Sequence, residues 1–167
     1  SVVNKAGGEE LPPLLARAQH TILPFTTDPA RCLAGCRMYG WFTKAVLIRG
    51  LKEGEELLEN LFNLLAHENA AVGEGAVAGF EVVCGRALSR AERALEKPLW
   101  RQKLFVKELA RMSRAYREVA SGLKGRYLAA LALIMHDTPP DALALQLPLI
   151  IPVLVQAVNT HTHTHTG

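Results

Sequence analysis

Little in this sequence suits metal or redox chemistry. Its 167 residues include only three cysteines, at 32, 36 and 84. A structural zinc or an iron–sulfur cluster needs three or four converging ligands, and no nearby histidine or further cysteine completes a set. Cys32 and Cys36 stand four apart, on one face if the segment is helical, so the thiols read as buried residues of a reducing, intracellular compartment. Long apolar runs are missing too. No window offers about 18 uninterrupted apolar residues, so no membrane span is expected. The nearest stretch, 143–158, is broken by Gln146, Pro148, Pro152 and Gln156. Strand signals are almost absent: there is no alternating run and no Asn-Gly hairpin turn. The start, SVVNKAGGEELPP, lacks the charged head and apolar stretch of a secretory signal. Without an initiator methionine it is expected to be part of a longer chain.

What remains is material for helices. Hydrophobic residues make up 49% and charged residues 21%, ordinary for a folded chain long enough to bury a core. Asp28 and Pro29 predict the start of a helix over 29–49, with Gly50 as its stop. On it Leu33, Cys36, Gly40, Thr43 and Leu47 step at helical spacing, and Trp41 and Val46 widen the apolar face. Further helices are expected over 55–66, with Leu57, Leu58, Leu61, Leu64 and Leu65 on one side, and over 70–88. Another covers 99–120, with Phe105, Leu109, Met112 and Tyr116 as its apolar stripe, followed by one over 123–136. The last covers 141–158, with Pro148 near its first turns and Pro152 as a kink. First helices of successive pairs start near 54, 98 and 142, a 44-residue period. That is the period of HEAT and armadillo arrays, about 40–47 residues. The fold class expected is therefore an all-α HEAT-repeat solenoid of about three helix pairs. It has a polar, partly helical lead-in over 1–28, a repeat domain over 29–158 and a disordered His/Thr tail over 159–167.

The stretch HENAAVGEGAVAGF, 67–80, has glycines at 73, 75 and 79. A dinucleotide fingerprint requires G-x-G-x-x-G directly after a strand. Here the last spacing is one residue too long and a helix precedes it. No Gly-Lys-Ser/Thr occurs anywhere, which excludes a phosphate-binding P-loop. As a second repeat helix, the same segment places Val72, Ala76, Gly79 or Phe80, and Val83 on one packing face.

No catalytic constellation stands out. His20, His67 and His136 fall in different segments, and Glu53, Glu55, Glu56 and Glu59 cluster where acidic residues offset a helix dipole. The terminal THTHTHTG sets three histidines at alternate positions, able to pick up nickel or zinc weakly if extended; its composition reads as disorder. No catalytic, cofactor-binding or metal-binding residue is assigned. Charge is more informative. Residues 86–126 hold 12 Lys/Arg against 4 Asp/Glu, and the rest of the chain holds 7 against 12. Lys103, Lys107, Arg111 and Arg114 advance by 4, 4 and 3, forming one basic stripe opposite the apolar one. It is the candidate partner-binding surface, suited to an acidic protein patch or a nucleic-acid backbone; the competing reading is a solubilising outer face. Aromatic interleaving for base stacking is missing there. Reversing Lys107 and Arg111 to Glu is expected to weaken a partner at little thermal cost.

Four blocks carry a family resemblance: WFTKAVLIRG (41–50), AAVGEGAVAGFEVV (70–83), LWRQKLFVKELARM (99–112) and LKGRYLAALALIMHDTPPDALALQLPLIIPVLVQAV (123–158). In order and spacing they resemble the C-terminal region of the methyl-methanesulfonate-sensitivity family, large HEAT-repeat adaptors of the cytosolic iron–sulfur assembly targeting complex. Trp100-Arg101-Gln102-Lys103 lies outside the generic repeat consensus and makes the likeness specific. The resemblance implies a cytoplasmic and nuclear adaptor with no enzymatic activity and no cofactor of its own. Its partners would be a WD-repeat propeller subunit, a small subunit and iron–sulfur client proteins of DNA replication and repair, without a membrane. The family's next helix should follow Val158, where NTHTHTHTG stands instead, so an exposed apolar side on the last helix and a homo-oligomer are expected. A nucleic-acid-binding helical repeat using 86–126 is the alternative. An armadillo import adaptor would carry a Trp/Asn ladder, and the only tryptophans are 41 and 100.

Overall fold

The computed structural model describes residues 11–85, 88 and 90–163, and every regular element among them is an α-helix. The class is an all-α helical repeat. The helices are α1 (Leu11–Thr27), α2 (Cys32–Ile48), α3 (Glu53–Leu65), α4 (Ala70–Cys84), α5 (Arg90–Leu95), α6 (Pro98–Glu118), α7 (Ser121–Asp137), α8 (Pro140–Ala144) and α9 (Leu147–His163). Two compact units divide inside α6, between Arg101 and Gln102. Residues 1–10 of the expected lead-in lie outside the described residues, as do 164–167 of the expected tail. Helix α9 itself continues to His163, past the boundary read at Val158.

In the first unit the turns follow their local chemistry. The Asp28 carboxylate accepts the Ala30 amide at 2.9 Å, and its carbonyl accepts the amides of Arg31 and Cys32. Residues 29–31 are thereby spent as a capped turn, and regular helix begins at Cys32. At the other end Gly50 takes φ +66°. Its amide bonds the Leu47 carbonyl and the Leu51 amide reaches back to Val46, a Schellman closure that favours glycine at this position. Asn69 caps α4, its side chain accepting the Ala71 amide, while His67 Nδ1 accepts the Asn69 amide. His67 is thus a turn residue. Helix α4 ends at Cys84, four residues earlier than expected, where the buried Lys44 ammonium donates to the Gly85 carbonyl at 2.6 Å.

The glycines explain how these helices pack. A Cβ on Gly75 would lie 3.1 Å from the Cys32 carbonyl oxygen, and one on Gly79 would lie 3.0 Å from that of Cys36. A Cβ on Gly40 would lie 2.5 Å from the Gly79 carbonyl oxygen. Contacts advance in the same sense along both helices, so α2 and α4 run parallel with their backbones nearly touching. Val72, Ala76, Phe80 and Val83 then point into the core with Leu57, Leu58, Leu61 and Leu65 of α3. Leu64, expected with them, is only half-buried. Tyr39 is buried between these layers, its phenol oxygen accepting from Asn60 at 2.9 Å; burial pushes the phenol up to about 12, with a smaller raise from Glu56 and an opposing pull from that hydrogen bond.

One expectation for α2 fails. Leu33 and Trp41 are 52% and 56% exposed, not buried. Gly35 turns toward the α1 backbone at Phe25, and Cys32, Cys36 and Gly40 turn toward α4. With both sides taken by neighbours, the sector holding Leu33 and Trp41 is left facing out.

In the second unit, Phe105, Leu109, Met112 and Tyr116 of α6 are buried, as their spacing predicts, with Leu104 beside them. Tyr127, Ala130, Leu131 and Ile134 of α7 and Ile150, Val153 and Ala157 of α9 complete this core. The single helix expected over 141–158 is two helices, α8 and α9. Proline has no amide hydrogen and its ring crowds the carbonyl four residues back, so a helix passing Ala144 cannot run regularly through Pro148. The chain turns at Leu145 and Gln146, and Pro148 sits in the first turn of α9, where its missing donor costs nothing. Helix starts at Glu53 and Pro98 keep the repeat period, and the third, expected near 142, falls inside the short α8, just before the break.

Gly122 and Gly125 of α7 differ from the glycines of the first unit, since a Cβ on either meets nothing within 4 Å. Gly125 lies inside the helix, where glycine costs roughly 0.5–1 kcal/mol relative to alanine. Gly125→Ala is expected to stabilise the protein by about that amount, read as a higher urea midpoint at unchanged m-value. A lower midpoint would show a contact on that side of α7 that the structure does not have.

A candidate partner-binding surface on α6

Helix α6 sorts its charges by exposure. Lys103, Lys107 and Arg114 reach solvent on the face opposite Phe105, Leu109 and Met112. From Lys103 to Arg114 the strip is about 16 Å long, at 1.5 Å of rise per residue. Arg111, read as the third member, is a different kind of residue. Its side chain is half-buried, and its Nη1 lies 3.8 Å from the carboxylate of Glu108, whose side chain is only 3% exposed. The structure therefore brings three of the four cations together as an outward strip and assigns the fourth to a buried carboxylate.

That carboxylate belongs to a polar cluster missed at the level of sequence. Glu108 falls three residues after Phe105 and four before Met112, on the apolar stripe itself. An acid at such a position signals either an error in the helix face or a buried pair, and the residue is buried. On α7, Arg126 is buried, and the Tyr127 phenol is pushed up by burial while the nearby Arg111 and Arg126 guanidinium groups pull it down. Arg117 does not extend the strip either, since its Nη2 donates to the Leu149 carbonyl of α9 at 3.0 Å. Lys124 stands over the Tyr116 ring at 5.1 Å, tying α7 to α6.

Elsewhere the chemistry-bearing side chains remain scattered. Among the described residues no three His, Cys, Asp or Glu side chains converge as metal ligands, and no helix is long and apolar enough to cross a membrane. Cys32, Cys36 and Cys84 are buried and form no disulfide. Burial pushes the Cys36 thiol up to about 12, with Cys32 adding to the shift, so at neutral pH it is a small apolar residue of the α2–α4 crossing. His136 is exposed in the last turn of α7, where a basic residue suits the negative end of the helix.

A family model described as RNAPII transcription regulator C-terminal, MMS19_C, matches residues 1–165. The chain belongs to the MMS19 C-terminal family. The MMS19 nucleotide excision repair protein homologs of Bos taurus and Danio rerio are each 27% identical to it over 122 residues, covering 71% of this chain and 12% of theirs. The DNA repair/transcription protein mms19 of Schizosaccharomyces pombe is 25% identical over 137 residues, 81% of this chain and 13% of its own length. The chain thus spans about an eighth of the length of these curated relatives. No solved structure matches it. The MMS19 C-terminal match includes both units, so the basic strip, the polar cluster behind it and α9 all belong to the family region.

Proposed function

We propose that this MMS19-family segment is a non-catalytic scaffold within an adaptor of the cytosolic iron–sulfur assembly targeting complex. Its helices dock other complex subunits, a WD-repeat propeller and a small partner, and help deliver clusters to apoproteins of DNA replication and repair in cytoplasm and nucleus. The observation that carries the reading is the outward strip of Lys103, Lys107 and Arg114 on a helix locked by the Phe105–Met112 core, within a chain of this family. The names of the relatives, nucleotide excision repair and DNA repair/transcription, support the repair setting. The iron–sulfur setting is supported by the resemblance of the four sequence blocks. A strip of cations on a rigid helix holds its charges at fixed spacing, which favours recognition of an acidic patch over loss of side-chain freedom.

The test is co-elution of the chain with the purified propeller and small subunits on a size-exclusion column with light scattering. Because Arg111 is tied to Glu108, the informative variant is Lys103→Glu with Arg114→Glu, which reverses exposed charges only. It is expected to weaken the complex at least about tenfold, mainly through slower association, with the melting temperature nearly unchanged. Unaltered binding would return the strip to a solvated face. The excess of 12 Lys/Arg over 4 Asp/Glu in 86–126 favours a second reading, nucleic-acid binding. A steep loss of duplex or tRNA affinity with added salt, removed by the same two substitutions, would support that reading instead.

A further inference from the structure

Arg111 stands on the boundary between the two faces of α6. At 3.6 residues per turn, Lys103, Lys107 and Arg114 fall within roughly 40° of one another around the helix. Arg111 lies roughly 60° from the middle of that strip, and Glu108 a further 60° or so in the same direction. A long arginine side chain rooted there can turn outward to the strip or inward to the acid. It turns inward: Nη1 is 3.8 Å from the Glu108 carboxylate, and the two side chains are 27% and 3% exposed. The Arg111 charge also acts on the buried Tyr127 phenol of α7, so the guanidinium lies toward the α6–α7 packing layer and away from a visitor at the strip.

Charge pairs three residues apart on a helix are ordinarily solvated and hold little. Here the acid is buried, and leaving it without its cation costs more than an exposed ion pair returns. An anion arriving at the strip therefore does not draw Arg111 outward, because Glu108 holds it from within. Three cations face solvent. At 1.5 Å of rise per residue, Lys103 and Lys107 are about 6 Å apart along the axis, and Lys107 and Arg114 about 10 Å. Arg111 is the residue that would fill the wider interval.

We propose that Glu108 fixes the valence of the docking strip: by holding Arg111 inward it leaves three cations, not four, for an acidic segment of a partner protein. The wider interval then favours a segment whose carboxylates are spaced to match it. Glu108 is a positioning residue, which meets no partner and sets specificity through Arg111. The proposal rests on the docking reading of the strip and can fail while that reading stands.

It is tested by a double-mutant cycle on the whole chain, with poly-L-glutamate as the acidic probe. At about 20 mM salt the Debye length is about 20 Å, so surface charges remain effective. Arg114→Gln is expected to weaken binding about three- to fivefold, the share of one exposed cation. Arg111→Gln, the same change three residues away, should leave affinity within a factor of about two, its glutamine keeping a donor for Glu108. Glu108→Gln should strengthen binding about three- to fivefold by releasing Arg111, and adding Arg111→Gln to it should remove the whole gain. If Arg111→Gln weakens binding as much as Arg114→Gln, Arg111 already belongs to the strip. If Arg111→Gln has the same effect whether residue 108 is Glu or Gln, Glu108 acts only through net charge. Either result overturns the proposal and leaves the strip standing. Should Glu108→Gln lose helicity by circular dichroism, the comparison of Arg111→Gln with Arg114→Gln decides alone. Undiminished binding by Lys103→Glu with Arg114→Glu would remove the strip itself, and the proposal with it. A DNA duplex bound more tightly than poly-L-glutamate at equal salt would assign the strip to nucleic acid and overturn the acidic-protein ligand.

Discussion

Replacing Gly40 by valine is expected to be the most damaging single substitution in the first unit. Its Cβ position lies 2.5 Å from the Gly79 carbonyl oxygen and 3.1 Å from the Val82 Cβ. The first of these atoms is backbone in the middle of α4, so relief requires separating the two helices. Separation would open gaps around Cys36, Tyr39, Phe80 and Leu61, all buried at the same level. Overpacking of a well-filled core costs about 1–3 kcal/mol, more where backbone must move. Valine on a helix gains little over glycine in return. A loss of roughly 3 kcal/mol or more is expected, enough to lower the melting temperature of a unit this size by at least about 10 °C. Gly40→Ala should follow at about 2 kcal/mol, since even one methyl group meets the carbonyl. The outcome to compare is Gly125→Ala, the same chemical change with the opposite sign. If both alanine variants raise stability, the close α2–α4 crossing is not present in solution.

That pair of glycines also marks how far the sequence could be read. Apolar spacing was enough to find α3, α4, α6 and α7, because a helix that must bury one face repeats its large side chains at 3.6 residues whatever its neighbours are. It was enough to see that Gly75 and Gly79 serve packing, since no phosphate-binding context surrounds them. It was not enough to tell Gly40, wedged against a carbonyl, from Gly125, facing open space. That difference depends on which helix lies opposite, and local spacing does not hold that information. Trp41 failed for the same reason: α2 is apolar through a wide sector, and its two neighbours decide which part is covered. Pro148 is a local effect read one step short. The sequence places Pro148 near the first turns of one helix over 141–158, whereas its missing amide and the crowding of the Ala144 carbonyl separate α8 from α9.

The candidate surface was half legible, and Arg111 shows where the limit lies. Its spacing from Lys107 and Arg114 places it on the stripe, but spacing on one helix does not reveal that Glu108, three residues earlier, turns inward and holds it. Arg111→Glu is therefore expected to act on stability before it acts on binding. The substitution removes the cation 3.8 Å from Glu108 and puts a carboxylate in its place, beside an acid with a 3% exposed side chain. Breaking a buried pair by removing one partner costs about 3–5 kcal/mol, and a half-buried arginine places this case toward the lower end. A loss of roughly 3 kcal/mol is expected at pH 7, against almost none for Lys103→Glu or Arg114→Glu on the exposed strip. The sign with pH follows from the charges. Two adjacent carboxylates in the folded state favour protonation, so their pKa values rise above those of the unfolded chain. The folded variant then binds protons more readily than the unfolded one, and its deficit relative to the wild type should shrink as pH falls through the carboxylate range. Chemical denaturation of the three single variants at pH 7 and pH 5 measures this directly. Equal stability of Arg111→Glu and Lys103→Glu at both values would place Arg111 back on the exposed stripe and make Glu108 an ordinary surface acid.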